Sequence, residues 1–383
     1  MTPVIETAQV ADRRELLDML AMAFRDDNPA HLEFDFLYAD LFAEAMMDRH
    51  RIIRQDRRIV ACVGCYEQTL RVGPVTLDMF GIGQVSCLKA FRERGFMTAL
   101  MTDAVSRMEA TPAPMSWLGG RRDRYARFGY EIAGTACRCR LNRKTLRDGA
   151  GETPSPRYDV TPHTSADITD ALWSLYTSNA VRCVYSRDEW MRKLARGNPQ
   201  TIWAASPRND SSPKAFAVTS QGSEFVTEYG GDFDALRALL TMLAERNEQR
   251  AVSLTCWPGA SEFADFLWTH AEWVSPELLN LRVHRLSDLM NAYRPIWEKR
   301  VPDGESVTLV MHRTGVGDAT EQRFTIGDRP SQPGVELRLD ELQTVRLLFG
   351  PWPPSMVTNL PPRLQWLGQI FPLPFGVPAP SHV

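Results

Sequence analysis

The chain has 383 residues, 44% of them hydrophobic, and a formal net charge of -3. That length suffices for a large buried core and about two or three domains, and the near-balanced charge gives no electrostatic case for nucleic acid or an anionic membrane as partner. The opening MTPVIETAQVADRRELL lacks the apolar core of a signal peptide and no run approaches membrane-spanning length, so a cytoplasmic protein is expected.

Two helical patterns come first, DRRELLDMLAMAF and FLYADLFAEAMMDRH, separated by the acidic RDDNPAHLEFD. Three strand-like runs follow, RIIRQ, RIVACVGCYEQTLRV and VTLDMFGIGQVSC, with VGP turning between the last two. Next, KAFRERGFMTALMTDAV (89–105) sets two arginines ahead of Gly95 and a helical pattern. Phe96, Leu100, Ala104 and Met108 repeat at helical spacing beside Met97, Met101 and Val105. The start of a helix is already positive and its first N–H groups lack partners, so added arginines point to an anion outside the protein. Glycine lets such an anion come close, and Arg92-Glu93-Arg94-Gly95 reads as an anion cradle. A surface turn with solvated arginines fits the same residues. The phosphate loop of Walker type is excluded, because no Gly-Lys-Ser or Gly-Lys-Thr follows and Gly81-Ile82-Gly83 lies too early to open the helix.

The short apolar run MSWLGG precedes RRDRYARFGYE, a helix that Gly129 can cap, and IAGTACRCRLN reads as a strand closing a domain at 1–145. The polar LNRKTLRDGAGETPSPR has linker composition. Over 156–285 the same succession of helices, strands, helix, strand, helix and strand returns, from DITDALWSLYTSNA to LLNLRVHRL. In this second copy TEYGG passes through Asp232 straight into its helix; an aspartate there caps the helix and repels phosphate, so the copy reads as structural. The third domain, 286–383, has a helix LSDLMNAYRP, strands VTLVMH, QRFTIG and VELRLD, and a helix ELQTVRLLFG. Its proline-rich tail carries Trp352, Trp366, Phe371 and Phe375 and is expected to dock against the body.

Seven cysteines, an odd number scattered over the chain, do not make a disulfide framework. Cys62 and Cys65 fall on opposite faces of one strand, and Cys137 and Cys139 share a face with nothing nearby to complete a tetrahedral site, so buried free thiols and no metal are expected.

The strand, Arg92-Glu93-Arg94-Gly95 and the helix together resemble the acyl-CoA-binding motif of the GNAT N-acetyltransferases, and RYARFGYE resembles that superfamily's second signature. With a repeated unit and a third domain, the chain is similar to the enhanced-intracellular-survival branch. The resemblance implies an α+β fold with mixed sheets, two tandem GNAT-type folds followed by a sterol-carrier-protein-like domain, and assembly as a homo-oligomer. It departs from the general pattern at Met97, where Gly or Ala is usual. The resemblance implies acetyl-CoA as co-substrate: Val85, Ser86 and Cys87 pair with the pantetheine arm, backbone amides from Glu93 through Gly95, Phe96 and Met97 to Thr98 hold the pyrophosphate beside Arg92 and Arg94, and Gly120 and Arg121 face the cofactor. An ordinary strand-to-helix turn suits Gly120 and Arg121 equally. It places the proton donor at Tyr125, with Tyr130 as competitor, and the base at the terminal carboxylate of Val383. A phenol of pKa about 10 still holds its proton when a thiolate of pKa roughly 8.5 forms, which suits the donor's task. Phe24, Asp26, Asp27 and Glu33 offer an aromatic wall and negative charge for a cationic amine, or simply a solvated acidic loop. The resulting expectation is an N-acetyltransferase acting on an amine, such as an aminoglycoside or a protein lysine. A lipid or acyl-CoA carrier using the third domain, with the acetyl site vestigial, is the alternative.

Overall fold

Alternating apolar residues along the early runs build the first sheet. The computed structural model describes residues 3–25, 34–148, 158–167, 169–197, 200–220, 224–313, 320–327, 335–357 and 359–383. The first stretch of chain contributes β1 (Ile5–Thr7), β2 (His50–Gln55), β3 (Arg58–Val72), β4 (Val75–Cys87), β5 (Met115–Leu118) and β6 (Glu131–Ala133). Between them lie α1 (Arg13–Arg25), α2 (Phe34–Leu37), α3 (Phe96–Glu109) and α4 (Arg122–Tyr125). The second stretch contributes β7 (Cys137–Asn142), α5 (Arg143–Asp148), β8 (Tyr158–His163), α6 (Asp170–Ser178), β9 (Val181–Cys183) and α7 (Arg187–Leu194). It continues with β10 (Gln200–Pro207), β11 (Ala215–Ser220), β12 (Phe225–Gly231), α8 (Phe233–Arg246), β13 (Ala251–Cys256), α9 (Glu262–His270), β14 (Trp273–Pro276) and β15 (Leu279–Val283). The last part holds α10 (Leu286–Ala292), α11 (Arg294–Trp297), β16 (Ser306–His312), β17 (Glu321–Gly327), β18 (Val335–Asp340) and α12 (Glu341–Phe349).

The strands form three sheets, ordered β1-β2-β3-β4-β5-β15-β6 with β9 beside β3, β8-β10-β11-β12-β13-β7-β14, and β17-β16-β18. The two large sheets share one plan: antiparallel strands, one parallel pair (β4 with β5, β12 with β13), then two further antiparallel strands. The strand following the parallel pair is exchanged between the halves. β15, late in the chain, lies between β5 and β6, while β7 crosses to pair with β13 and β14.

This exchange corrects the expectation of one strand over 132–142. The run breaks at Gly134, whose φ of +133° disfavours a side chain; the Gly134 N–H bonds to Phe349 O at 3.1 Å and the Thr135 N–H to Phe375 O at 2.8 Å. The helix expected over FLYADLFAEAMMDRH is also interrupted, leaving the single turn α2 and a 3-10 segment Glu44–Arg49. Leu41, Phe42 and Met47 are all buried, and Asp40 turns out to pair with Lys193 and Arg196, so tertiary contacts override local helical spacing. Part of the expected linker is helix α5, packed on α8. The tail docks through Phe371 and Phe375, yet Trp352 is 54% exposed.

One face of the first sheet packs α1 and α3 over Ile52, Val60 and Ile82, with Leu100 of α3 buried among them. The other face, with Leu70, Leu77, Met79, Met115 and Trp117, packs on Val307, Leu309, Met311, Leu337 and the tail. Where β15 enters, Arg282 is 1% exposed and pairs with Glu109 at 2.7 Å and Glu341 at 2.8 Å while donating to Phe128 O. Burial acts to raise the Glu109 carboxyl, but His284, Arg282 and Arg313 hold it down at about 2. Gly129 lets the guanidinium through, since a Cβ there would meet Arg282 Nη1. Removing one partner of a buried pair costs about 3–5 kcal/mol. Arg282→Leu is therefore expected to lower urea-unfolding stability by about that amount, and a loss below about 1 kcal/mol would deny this junction its role. All seven cysteines are free. Among the described residues no helix is long and apolar enough to cross a membrane, and no group of three or more His, Cys, Asp or Glu could hold a metal ion.

Candidate active site

A fork in the first sheet positions the site. Parallel pairing of β4 with β5 ends at Ile82 and Leu118, but β4 runs on to Cys87. Its register against β3 shifts between Cys62 and Gly64, and Gln84 takes a φ of +51°, so β4 bends away from β5 and leaves an edge unpaired. Tyr66 fixes the bulge from below; its hydroxyl donates to Gln84 Oε1 and lies 2.9 Å from His50 Nε2. Burial lowers the His50 imidazole to about 4, which keeps it neutral there.

Helix α3 starts at the mouth of this fork. Its N-cap, Gly95, is left-handed at φ +77° and supplies no capping side chain; Glu93 is left-handed too, at φ +66°. Helices α6, α7, α8, α9 and α12 are each closed by a side chain, from Thr169, Ser186, Asp232, Ser261 and Asp340. At α3 the first backbone bond is Ala99 N–H to Gly95 O, so the amides of Phe96, Met97 and Thr98 have no partner within the helix. An uncapped, positively poled terminus flanked by a glycine nest is an anion receptor.

The fork, cradle and second signature meet around one cavity of about 710 Å³. Val85, Ser86 and Cys87 form its strand wall, Arg92 and Met97 its cradle side, and Gly120 and Tyr125 its far side. Phe24 and Val383 close it. Glu93, Arg94, Gly95 and Thr98 lie on the cradle loop and first turn outside the lining; Arg94 stacks over the Phe91 ring at 5.0 Å and Phe96 turns into the core. Arg121 corrects an expectation: it is exposed and held by Asp123 at 2.7 Å, while Arg124 and Arg127 line the wall instead. Asp26, Asp27 and Glu33 lie outside the described residues.

Tyr125 is buried, its ring 3.2 Å from where a Cβ on Gly120 would stand. Burial raises its pKa above 10, with Arg124 acting weakly the other way, so the phenol keeps its proton near neutrality. Tyr130 has a different place: fully buried in the core, its hydroxyl 2.6 Å from Ser116 Oγ.

Sequence reasoning missed the clasp that brings the chain terminus here. Gln68 Nε2 donates to Ser381 O at 2.7 Å, and its Oε1 accepts from Trp117 Nε1 at 2.8 Å. Arg196, from the second half, donates to His382 O at 2.7 Å and Pro380 O at 3.3 Å. Asp40 holds Arg196 with a 2.6 Å bond from Nη2 and takes Lys193 Nζ at 2.9 Å; burial pushes its pKa up, but these two cations bring it below the usual carboxylate value. The terminus then lies on two strand glycines. A Cβ on Gly81 would stand 2.7 Å from Val383 Cγ2, and one on Gly83 2.7 Å from the Val383 carboxyl carbon. Paired glycines inside a strand were the sequence's only trace of that close approach. Gly83→Ala is expected to displace the terminus and cut turnover about tenfold or more with acetyl-CoA affinity held within about threefold; unchanged turnover would mean the terminal carboxylate is not needed at Gly83.

A splayed parallel pair, an uncapped helix start and a protonated tyrosine thus face one another across a single cavity. Residues 4–133 match the acetyltransferase (GNAT) domain as a sequence family. No curated protein matches the sequence. Among solved structures, a GCN5-related N-acetyltransferase from Kribbella flavida superposes with a TM-score of 0.68 at 16% identity, covering 100% of this chain and 99% of that one. Eis1 from Mycobacterium abscessus gives 0.66 at 16% identity, over 99% and 100%. A protein of unknown function from Enterococcus faecalis, described as a probable N-acyltransferase, gives 0.69 at 14%, over 96% of each. At such identities the likeness is one of fold.

Proposed function

We propose that this chain is an acetyl-CoA-dependent N-acetyltransferase acting on an amine, either a small molecule such as an aminoglycoside or a protein lysine. The observation that carries the reading is the convergence of the uncapped α3 terminus, the open β4 edge, Tyr125 and the chain's own carboxylate on one cavity. The residues fit the co-substrate. Amides of Glu93 to Thr98 and the Arg92 guanidinium suit a diphosphate, and the free β4 edge at Val85 to Cys87 suits an amide-bearing arm. Bound acetyl-CoA supplies an activated thioester.

The rest of the chemistry falls to the protein. Tyr125, the weaker acid, still holds the proton at its hydroxyl when the thiolate departs; it passes that proton to the sulfur, and the phenolate left behind takes one back from solvent, which balances the proton lost by the amine. The Val383 carboxylate orients the incoming amine and accepts its proton directly or through water. The clasp of Gln68 and Arg196 fixes that carboxylate in place, so the second half of the chain serves the first. The shared plan of the large sheets supports reading the second half as another GNAT-type unit; we also take the last part as sterol-carrier-like and the protein as a cytoplasmic homo-oligomer. The carrier alternative gains no support, because the apolar side chains of β16 and β18 are buried against the first sheet.

Release of coenzyme A from acetyl-CoA, followed with a panel of primary amines and lysine peptides, tests the reading. Amine-dependent release is expected; a chain that neither binds acetyl-CoA nor releases thiol with any amine is not such an enzyme.

A further inference from the structure

The second sheet repeats the fork. Parallel pairing of β12 with β13 covers only Phe225–Ser253 and Val226–Leu254, and the register against β11 shifts between Val218 and Thr219, as β3 and β4 shift at Gln84. A cavity of about 330 Å³ opens there, at the place equivalent to the first one. Its chemistry differs. The first cavity has Arg92, Arg124 and Arg127 in its wall beside Asp123 and the terminal Val383; the second has no Lys, Arg or His but carries Glu228 and Glu262. Asp232 caps α8 by accepting from the amides of Asp234 and Ala235, each at 3.1 Å, so the helix start that would take phosphate is already filled with negative charge.

The wall is a built one. Glu228 lines the cavity and is 7% exposed; its Oε2 accepts from Trp190 Nε1 at 2.7 Å. Tyr229, Phe233, Trp257 and Phe263 supply aromatic surface elsewhere in the lining. A buried carboxyl in the wall of a cavity that also carries aromatic rings and no cationic side chain is an environment that rewards a cation of matching size.

We propose that the β12–β13 fork is a second ligand site, for a small molecule carrying a protonated amine on an apolar body. Burial holds the Glu228 carboxyl up at about 7, so an arriving ammonium group is the partner that ionises it. The site also borders Pro378 and Ala379 of the tail that ends at Val383 in the first cavity. The proposal stands independently of acetyl transfer.

Titrating the full chain with 2-phenylethylamine tests it, with the Trp190 indole N–H resonance, assigned through Trp190→Phe, as the local reporter and calorimetry for affinity. The amine is expected to shift that resonance saturably, the neutral isostere 2-phenylethanol to bind at least tenfold more weakly, and Glu228→Gln, which can still accept from Trp190, to lose at least tenfold in amine affinity. Ala260→Trp, filling the cavity rim, should abolish the shift if Glu228→Gln proves unstable. An unmoved Trp190 signal, equal binding of amine and alcohol, or undiminished affinity in either folded variant overturns the proposal. Amine binding in the first cavity leaves the Trp190 signal unmoved and so counts as overturning it.

Discussion

Deleting His382 and Val383 is expected to abolish amine-dependent acetyl transfer, by about 10³-fold or more, while acetyl-CoA binding stays within about threefold and the protein remains folded. The expectation follows from where the chain ends. Gln68 and Arg196 bond the carbonyls of Ser381, His382 and Pro380, and the carboxyl carbon of Val383 rests over Gly83 beside the cavity. Truncation removes that carboxylate but keeps the contact of Gln68 with Ser381, and Phe371 and Phe375 stay packed in the core. A free α-carboxyl has a pKa of about 3.5, a weak base in water, so its contribution comes from position. Steady-state kinetics with coenzyme titration decides the matter, and a truncated protein of full activity excludes the terminal base.

Tyr125→Phe is expected to lower kcat by about 10²-fold with little change in acetyl-CoA affinity, because only the proton for the leaving thiolate is lost. The ring keeps its place beside Gly120, and the substitution removes a single oxygen from a cavity of about 710 Å³. Tyr130→Phe is the matched control: its hydroxyl meets Ser116 in the core, so its effect falls on stability instead. Equal kcat losses in the two variants would remove Tyr125 from the chemistry.

Much of this was legible one residue at a time. The limits of β3 and β4 follow from their β-branched and apolar runs and the VGP turn between them, and the α3 stripe puts Phe96, Leu100, Met101, Ala104, Val105 and Met108 in the core as its spacing dictates. The cradle was legible because glycine and arginines at a helix start contradict local electrostatics unless an anion is expected. Asp232 likewise marked the second helix as closed to phosphate.

Arg121 shows where such reading stops: type and spacing suited the cavity, but its exposed guanidinium is taken by Asp123 two positions on, and Arg121 is not in the lining. Asp40, Gln68 and Arg196 carried no local signal at all, since each acts on a partner far along the chain.

The sequence by itself determined most of the strands and helices, the open start of α3 and the acidic closure of α8, because backbone geometry and near-neighbour electrostatics act within a few residues. Only the tertiary structure decided that β7 and β15 change places, that the terminus reaches Gly83, and that of two forks of one plan just one is lined by arginines. Those outcomes depend on which surfaces distant segments bury together, and burial of that kind has no period along the chain.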